Sequence, residues 1–482
     1  MNRHQYLIII TIFALFIGLS IVPSSGIIIV NKPSTINNNG EVLYVGGVEP
    51  GNYSTIQDAI DSANPGDTIF VYKDSSPYYE NVKINKMIKL IGESRNTTII
   101  NGRNKGNTIS IFYNANNVVI SGFTITEGGD GIFVYSDNNT IQGNKIVFNY
   151  HGIEIDYDAD YNIITNNIIL HNRAAGIFDG GRDSGSTITW NVIGSNGKEF
   201  PWWSGLYKHY SGGYYHHNDF HFNGGTNAFT EHSYWGIWDD DSEGNYWDDW
   251  EYNPGYPNKY VIEGTVEDQI DKFPNIVPFV NYPIVSIYSS YYAEVNKLIY
   301  FLPTLNVDPS SVSWFWEFGD GEISYEIEPS YSYSKPGKYK INVTITDNQG
   351  NSDTDKSIAY IGVPPDTPSI TGPPKCKRGR SYNYTIVAND SDGGNLYYYI
   401  DWDLGYQIWI GPYPAGEEVT ISHCWNYSYV YTISVKAIDE ADFESDWAYL
   451  TVHVPRNRVS YNSVFLRFFD VFLLLEKFLS IF

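Results

Sequence analysis

Asn138-Asn139-Thr140-Ile141-Gln142-Gly143-Asn144-Lys145-Ile146 finds its likeness in Tyr161-Asn162-Ile163-Ile164-Thr165-Asn166-Asn167-Ile168-Ile169, and again in Ser186-Thr187-Ile188-Thr189-Trp190-Asn191-Val192-Ile193. The central asparagines, Asn144, Asn167 and Asn191, are spaced 23 and 24 apart. Asn149, Asn172, Asn196 and Asn223 close the same units at steps of 23, 24 and 27. Between them a Gly-Ile pair recurs at Gly131-Ile132, Gly152-Ile153 and Gly176-Ile177, with Gly205-Leu206 as a looser fourth. A period of this length is one coil of a solenoid.

Each coil offers short alternating strands, so Ile132 and Val134, or Ile153 and Ile155, point inward and stack on the coil below. The recurring Asn is expected at the bend, tolerating left-handed backbone and bonding along a ladder of its own kind. Leucine-rich repeats share the period but need regular leucines, which this stretch lacks. Upstream, Thr55-Ile56-Gln57-Asp58-Ala59-Ile60 has helical spacing and polar starts, which predicts a short helix capping the open end of the stack. With the closing stretches Gly244-Asn245-Tyr246-Trp247-Asp248-Asp249-Trp250 and Asp271-Lys272-Phe273-Pro274, these residues resemble the pectin-lyase-like right-handed parallel β-helices. Within them the resemblance is to the NosD-like copper-maturation and carbohydrate-binding group of archaeal and bacterial envelopes. It covers residues 41–282 and implies a fold rather than an activity, because one fold hosts many chemistries.

From Pro283 the asparagine repeats stop. Trp316-Glu317-Phe318-Gly319-Asp320-Gly321, Tyr333-Ser334-Lys335-Pro336-Gly337-Lys338-Tyr339 and Thr346-Asp347-Asn348-Gln349-Gly350 resemble the PKD domain, with a Trp between two sheets and tight Gly-Asp-Gly and Pro-Gly turns. Pro364-Pro365-Asp366-Thr367-Pro368 reads as a stiff linker. Residues 366–455 resemble a second Ig-like, PKD-like module, where Asp401-Trp402-Asp403-Leu404-Gly405 lacks one turn glycine of the usual pattern. The expected fold class is therefore all-β: a right-handed parallel β-helix (41–282), two Ig-like (PKD-type) β-sandwiches (283–363 and 366–455) and a short C-terminal helix. That helix falls in the apolar tail 459–482, whose charges interrupt it too often for a membrane span. It suits a membrane interface, a partner surface, or packing against the last sandwich.

Residues 1–26 join a basic start to an apolar run, Tyr6 to Val22, and a small-residue exit, which describes a signal peptide or an N-terminal anchor. Both place the remainder outside the cytoplasm. Sequons at Asn52, Asn96, Asn138, Asn342, Asn383, Asn389 and Asn426 permit glycosylation there. A formal net charge of -25 argues against nucleic-acid binding. The two cysteines, Cys376 and Cys424, precede apolar runs by similar distances, and parallel placement of those runs would bring them within disulfide reach.

Three sets of residues carry chemistry. Glu154, Asp156 and Asp179, on adjacent coils, suit a carboxylate pair for glycoside hydrolysis, or a Ca²⁺ site for a polysaccharide lyase; a solvated acidic face is the alternative. Trp202, Trp203, Tyr207, Tyr210, Trp235 and Trp238 suit stacking on sugar rings, and residues 197–213 are expected to form a loop standing off the wall. His217, Asp219 and His221 share one strand face and suit a transition metal, which the copper-linked resemblance makes worth testing. The expected partner is a glycan or another envelope component, with membrane-surface association through the N-terminal run or the tail.

Overall fold

The computed structural model describes residues 40–456 and Val471, except 182–184, 201–202, 233–234 and 266–268. The N-terminal run 1–26, Trp202 and, apart from Val471, the tail 459–482 lie outside the described residues. Among the described residues no helix is long and apolar enough to cross a membrane.

Residues 42–271 wind into a β-solenoid of about 8 turns, whose three walls are sheets of nine, seven and nine strands. One coil runs through Thr140–Gln142 in the first wall, Lys145–Val147 in the second and His151–Ile155 in the third. The next, Ile163–Thr165, Ile168–Leu170 and Ile177–Asp179, pairs with it in parallel, putting Ile164 on Ile141, Ile169 on Ile146 and Ile177 on Ile153. All six side chains are fully buried, each removing about 1.5–3 kcal/mol worth of apolar surface from water. The helix Ile56–Ser62 covers the N-terminal end, with Thr55 accepting from the Asp58 amide as its cap. Phe220, Trp247 and Tyr260 stack nearly parallel at 4.4 and 4.1 Å to floor the other end.

Asparagine ladders run along all three corners. Between the first and second walls, Oδ1 of Asn167 accepts from the Asn144 amide at 3.0 Å, and Asn191, Asn218 and Asn245 repeat the contact in turn. Asp271 ends this ladder: its Oδ2 accepts from the Asn245 amide (2.7 Å) and the Trp247 indole (2.9 Å). Asn149, Asn172, Asn196 and Asn223 form the second ladder. Asn139 and Asn162 begin a third, unforeseen one that ends on Ser186. The left-handed residue is not the asparagine, as expected, but the one before it: Asn166, Trp190 and His217 at the first corner, Phe148, His171 and Phe222 at the second. Left-handed backbone costs a bulky residue about 1–2 kcal/mol. The buried amide bonds offset that cost, and the strained side chains, aimed outward, stack on each other: Phe148 on His171 at 5.4 Å, Trp190 on His217 at 4.4 Å.

The outer face of the second wall is apolar. Val147, Ile168, Leu170 and Val192 are buried there under Tyr282 and Ile284, where the chain enters the first sandwich. Gly194 permits this approach, since a Cβ there would lie 3.2 Å from Ile284. Beside this patch, His171 meets the first sandwich. Its Nε2 lies 3.0 Å from Asp353 Oδ2 and its Nδ1 3.2 Å from Asp355 Oδ1. The same carboxylates accept the amides of Val285 and Ile287, and Lys198 reaches Asp355 at 2.5 Å. Burial pushes the His171 imidazole down, but the two carboxylates reverse this and raise it to about 9.

In the first sandwich Trp316 is fully buried between the sheets and donates to the Glu326 carbonyl at 2.9 Å. A three-stranded and a four-stranded sheet follow over Ser369–His453, enclosing Tyr384, Trp402 and Trp425. Cys376 and Cys424 are free thiols, against expectation. Cys376 precedes its strand and faces inward, its Sγ 3.2 Å from the Tyr384 hydroxyl, while Cys424 ends a strand beside Asn426.

Candidate functional site

The third wall carries its chemistry on the outer face. Strand pairing in register aligns Phe133, Glu154, Phe178, Tyr207, Phe229 and Glu263 in one outward column. Phe178 and Tyr207 stack at 5.5 Å with rings 7° from parallel. Trp203 folds back over them, edge-on to Tyr207 at 4.8 Å, to Phe178 at 5.7 Å and to His151 at 5.2 Å. The Phe178, Trp203 and Tyr207 rings are half-buried, while His151 beneath them is buried.

A histidine–carboxylate cluster adjoins each end of the strip. At one end His151 Nδ1 lies 3.1 Å from Asp130 Oδ1 and 3.0 Å from Glu154 Oε2. Burial pushes His151 down, but hydrogen bonds to the two carboxylates outweigh it and hold the imidazole above its usual range. At the other end His209, Glu231 and His232 converge, with Tyr207 donating to Glu231 Oε2 at 2.5 Å. Tyr210 stacks on His232 at 5.1 Å and meets Tyr157 edge-on.

The sequence offered Trp203, Tyr207 and Tyr210 as ring-stacking residues; Trp203 packs on Tyr207, while Tyr210 turns at the corner against His232. Tyr207 and His209 stand in a strand, Leu206–His209, so the expected protruding loop is shorter than 197–213. Trp235 belongs to the first wall, beside Tyr214 at 5.8 Å. Trp238 is no ligand residue: it is fully buried inside the coil, stacked on Tyr215 and bonded to Gln269.

The carboxylate trio separates as well. Glu154 faces outward, half-buried, and Asp156 lies near it, accepting from the Asp158 amide. Asp179 pairs in register with Ile155 and points into the coil, fully buried. It accepts from the Tyr215 hydroxyl at 2.7 Å, and burial raises its carboxyl. An acid on the inner face cannot act with Glu154 on a bond outside, nor share a Ca²⁺ with it.

His217, Asp219 and His221 do not converge either. His217 occupies the left-handed corner, against Trp190 and 3.3 Å from Glu243. Asp219 is committed to the amides of Phe279 and Val280, at 2.8 Å each. His221 is buried beside Tyr246, and desolvation lowers it to about 4. Asp130 and His151 were missed. Each directly precedes a Gly-Ile pair, and the repeat stacks those positions in register.

Comparison with known proteins agrees with the architecture. A right-handed β-helix region profile matches residues 17–224, and a PKD-domain profile matches residues 283–363. The chain is a right-handed β-helix followed by a PKD domain. It is 35% identical over 86 residues to the pre-pro-metalloprotease PrtV of Vibrio cholerae, 18% of this chain and 9% of that protein. It is 45% identical over 47 residues to the collagenase ColA of Clostridium perfringens, 10% of this chain and 4% of that protein. The chain thus spans less than a tenth of these relatives. A solved PKD domain of an M14-like peptidase from the Thermoplasmatales archaeon SCGC AB-540-F20 is 44% identical, covering 20% of this chain and 99% of that one, with a TM-score of 0.20.

Proposed function

We propose that the chain is a non-catalytic extracellular protein whose third wall binds a glycan or another envelope component, with the sandwich modules as spacers. The observation that carries this reading is the Phe178–Tyr207 strip with Trp203 over it, set between two histidine–carboxylate clusters. Ring faces stack on the apolar faces of sugars, while Glu154, His151 and Glu231 offer bonds to hydroxyls. The apolar run near the start and the sequons support export, as does a PKD module shared with a pre-pro-metalloprotease and collagenases.

The test is a glycan array of the purified chain with and without Ca²⁺, followed by mass spectrometry of the bound sugars. Retention of intact sugars, weakened about 10-fold in Trp203→Ala, is the expected result. Retention that Trp203→Ala leaves unchanged moves the site off this wall. Shortened or unsaturated products would make the protein a hydrolase or lyase working from Glu154 and His151.

A further inference from the structure

We propose that His209, Glu231 and His232 bind a divalent transition-metal ion at the outer edge of the third wall. His209 and Glu231 are register partners on adjacent coils, and His232 follows at the corner. His209 Nε2 lies 3.7 Å from Glu231 Oε2, and His232 Nδ1 lies 3.9 Å from Glu231 Oε1. The three ligand atoms all lie within 4.8 Å of one another. Ligands held at about 2.0–2.2 Å in a tetrahedral site stand ~3.4 Å apart, so modest side-chain rotation closes the set.

The surroundings orient these groups. The short bond from Tyr207 fixes the Glu231 carboxylate, the kind of outer partner that aims a metal ligand. Tyr210 stacks on the His232 ring and packs edge-on to His209 at 4.3 Å, steadying both imidazoles. The His232 amide donates to Thr265 Oγ1 at 3.1 Å, anchoring the corner. All three ligands remain partly exposed, so an ion can enter and keep a coordination position for water or a ligand oxygen. Two imidazoles with one carboxylate favour zinc, cobalt or nickel over calcium or magnesium, which take oxygen donors. The Asp130–His151–Glu154 cluster is a poorer candidate, since both carboxylates share a single imidazole nitrogen that lies buried.

Calorimetric titration of the full chain with Zn²⁺ tests the site, with Co²⁺ absorption as a second readout of nitrogen–oxygen ligation. One ion per chain is expected. Uptake should be lost in His209→Ala and in His232→Ala, weakened about 10-fold in Tyr207→Phe, and unaffected in His217→Ala. Thermal melts of the variants check folding, and Glu231→Gln removes the charge while keeping the side chain's shape. Absence of zinc uptake, uptake that survives both histidine variants, or uptake that moves with His217 would overturn the proposal. The site does not rest on the glycan reading: Trp203→Ala should weaken sugar retention and leave zinc uptake intact.

Discussion

The second and third walls come from the same coils, and inside the solenoid they are interchangeable. Ile146, Ile169 and Ile193 line one as Ile132, Ile153 and Ile177 line the other. Outside they part. The second wall shows Val147, Ile168, Leu170 and Val192, and the chain folds its own linker and PKD domain over them. The third wall shows Glu154, Phe178, Tyr207 and Glu231, and Trp203 lies over Phe178 and Tyr207. The inward pattern builds the solenoid, while the outward residue at each step decides whether a wall becomes an interface or a site.

The sharpest way to break this contrast is at the covered wall. His171→Gln leaves Asp353 and Asp355 buried without their imidazolium partner, and should cost about 3–5 kcal/mol of the joint. Thermal unfolding together with proteolysis near residues 279–287 would show it, and a joint that stays closed would deny the ion cluster its role. The pH dependence sharpens the same point. His171 is raised in the folded state, so its contribution is complete below about 6.5 and lost as pH rises through about 9. Asp353 and Asp355 are lowered by His171 despite burial, so their contribution holds above the ordinary carboxylate range and is lost as pH falls through their lowered values. Docking measured by small-angle scattering should therefore be tightest between these limits.

A smaller effect is expected from the corner between the first and second walls. Asn167→Ala strands the Asn144 amide and the Ile141 carbonyl, costing about 2–3 kcal/mol in urea denaturation. On the open wall, Trp203→Ala should leave the melt nearly unchanged and weaken glycan retention about 10-fold, ~1.4 kcal/mol. If Trp203→Ala destabilised the fold as much as His171→Gln does, the contrast between the walls would fail.

Much of the solenoid was legible because its constraints are periodic. The Gly-Ile pairs and asparagines recur wherever a coil must stack, so Ile153 and Asn167 could be placed from spacing alone. The site was less legible because outward residues carry no period. Asp179 was nonetheless within reach: it follows Ile177 by two, and strand parity sends it inside with Ile177. Asp219 escaped that logic: its parity is outward, yet it is buried and bonded to the amides of Phe279 and Val280, some 60 positions later. The metal cluster also needed the fold, because only the register of adjacent coils sets His209 beside Glu231.

Asp271 gives the solenoid a property of a polymer with a terminator. Each asparagine from Asn144 to Asn245 accepts from the coil before it, and its side-chain nitrogen donates to the unit after, so this ladder has a head and a tail. An ionised carboxylate has acceptors only. Placed after Asn245, it completes the last unit and offers nothing for another to join. One acidic residue thus fixes where this ladder stops, just as the Ser186 hydroxyl stops the ladder at the third corner.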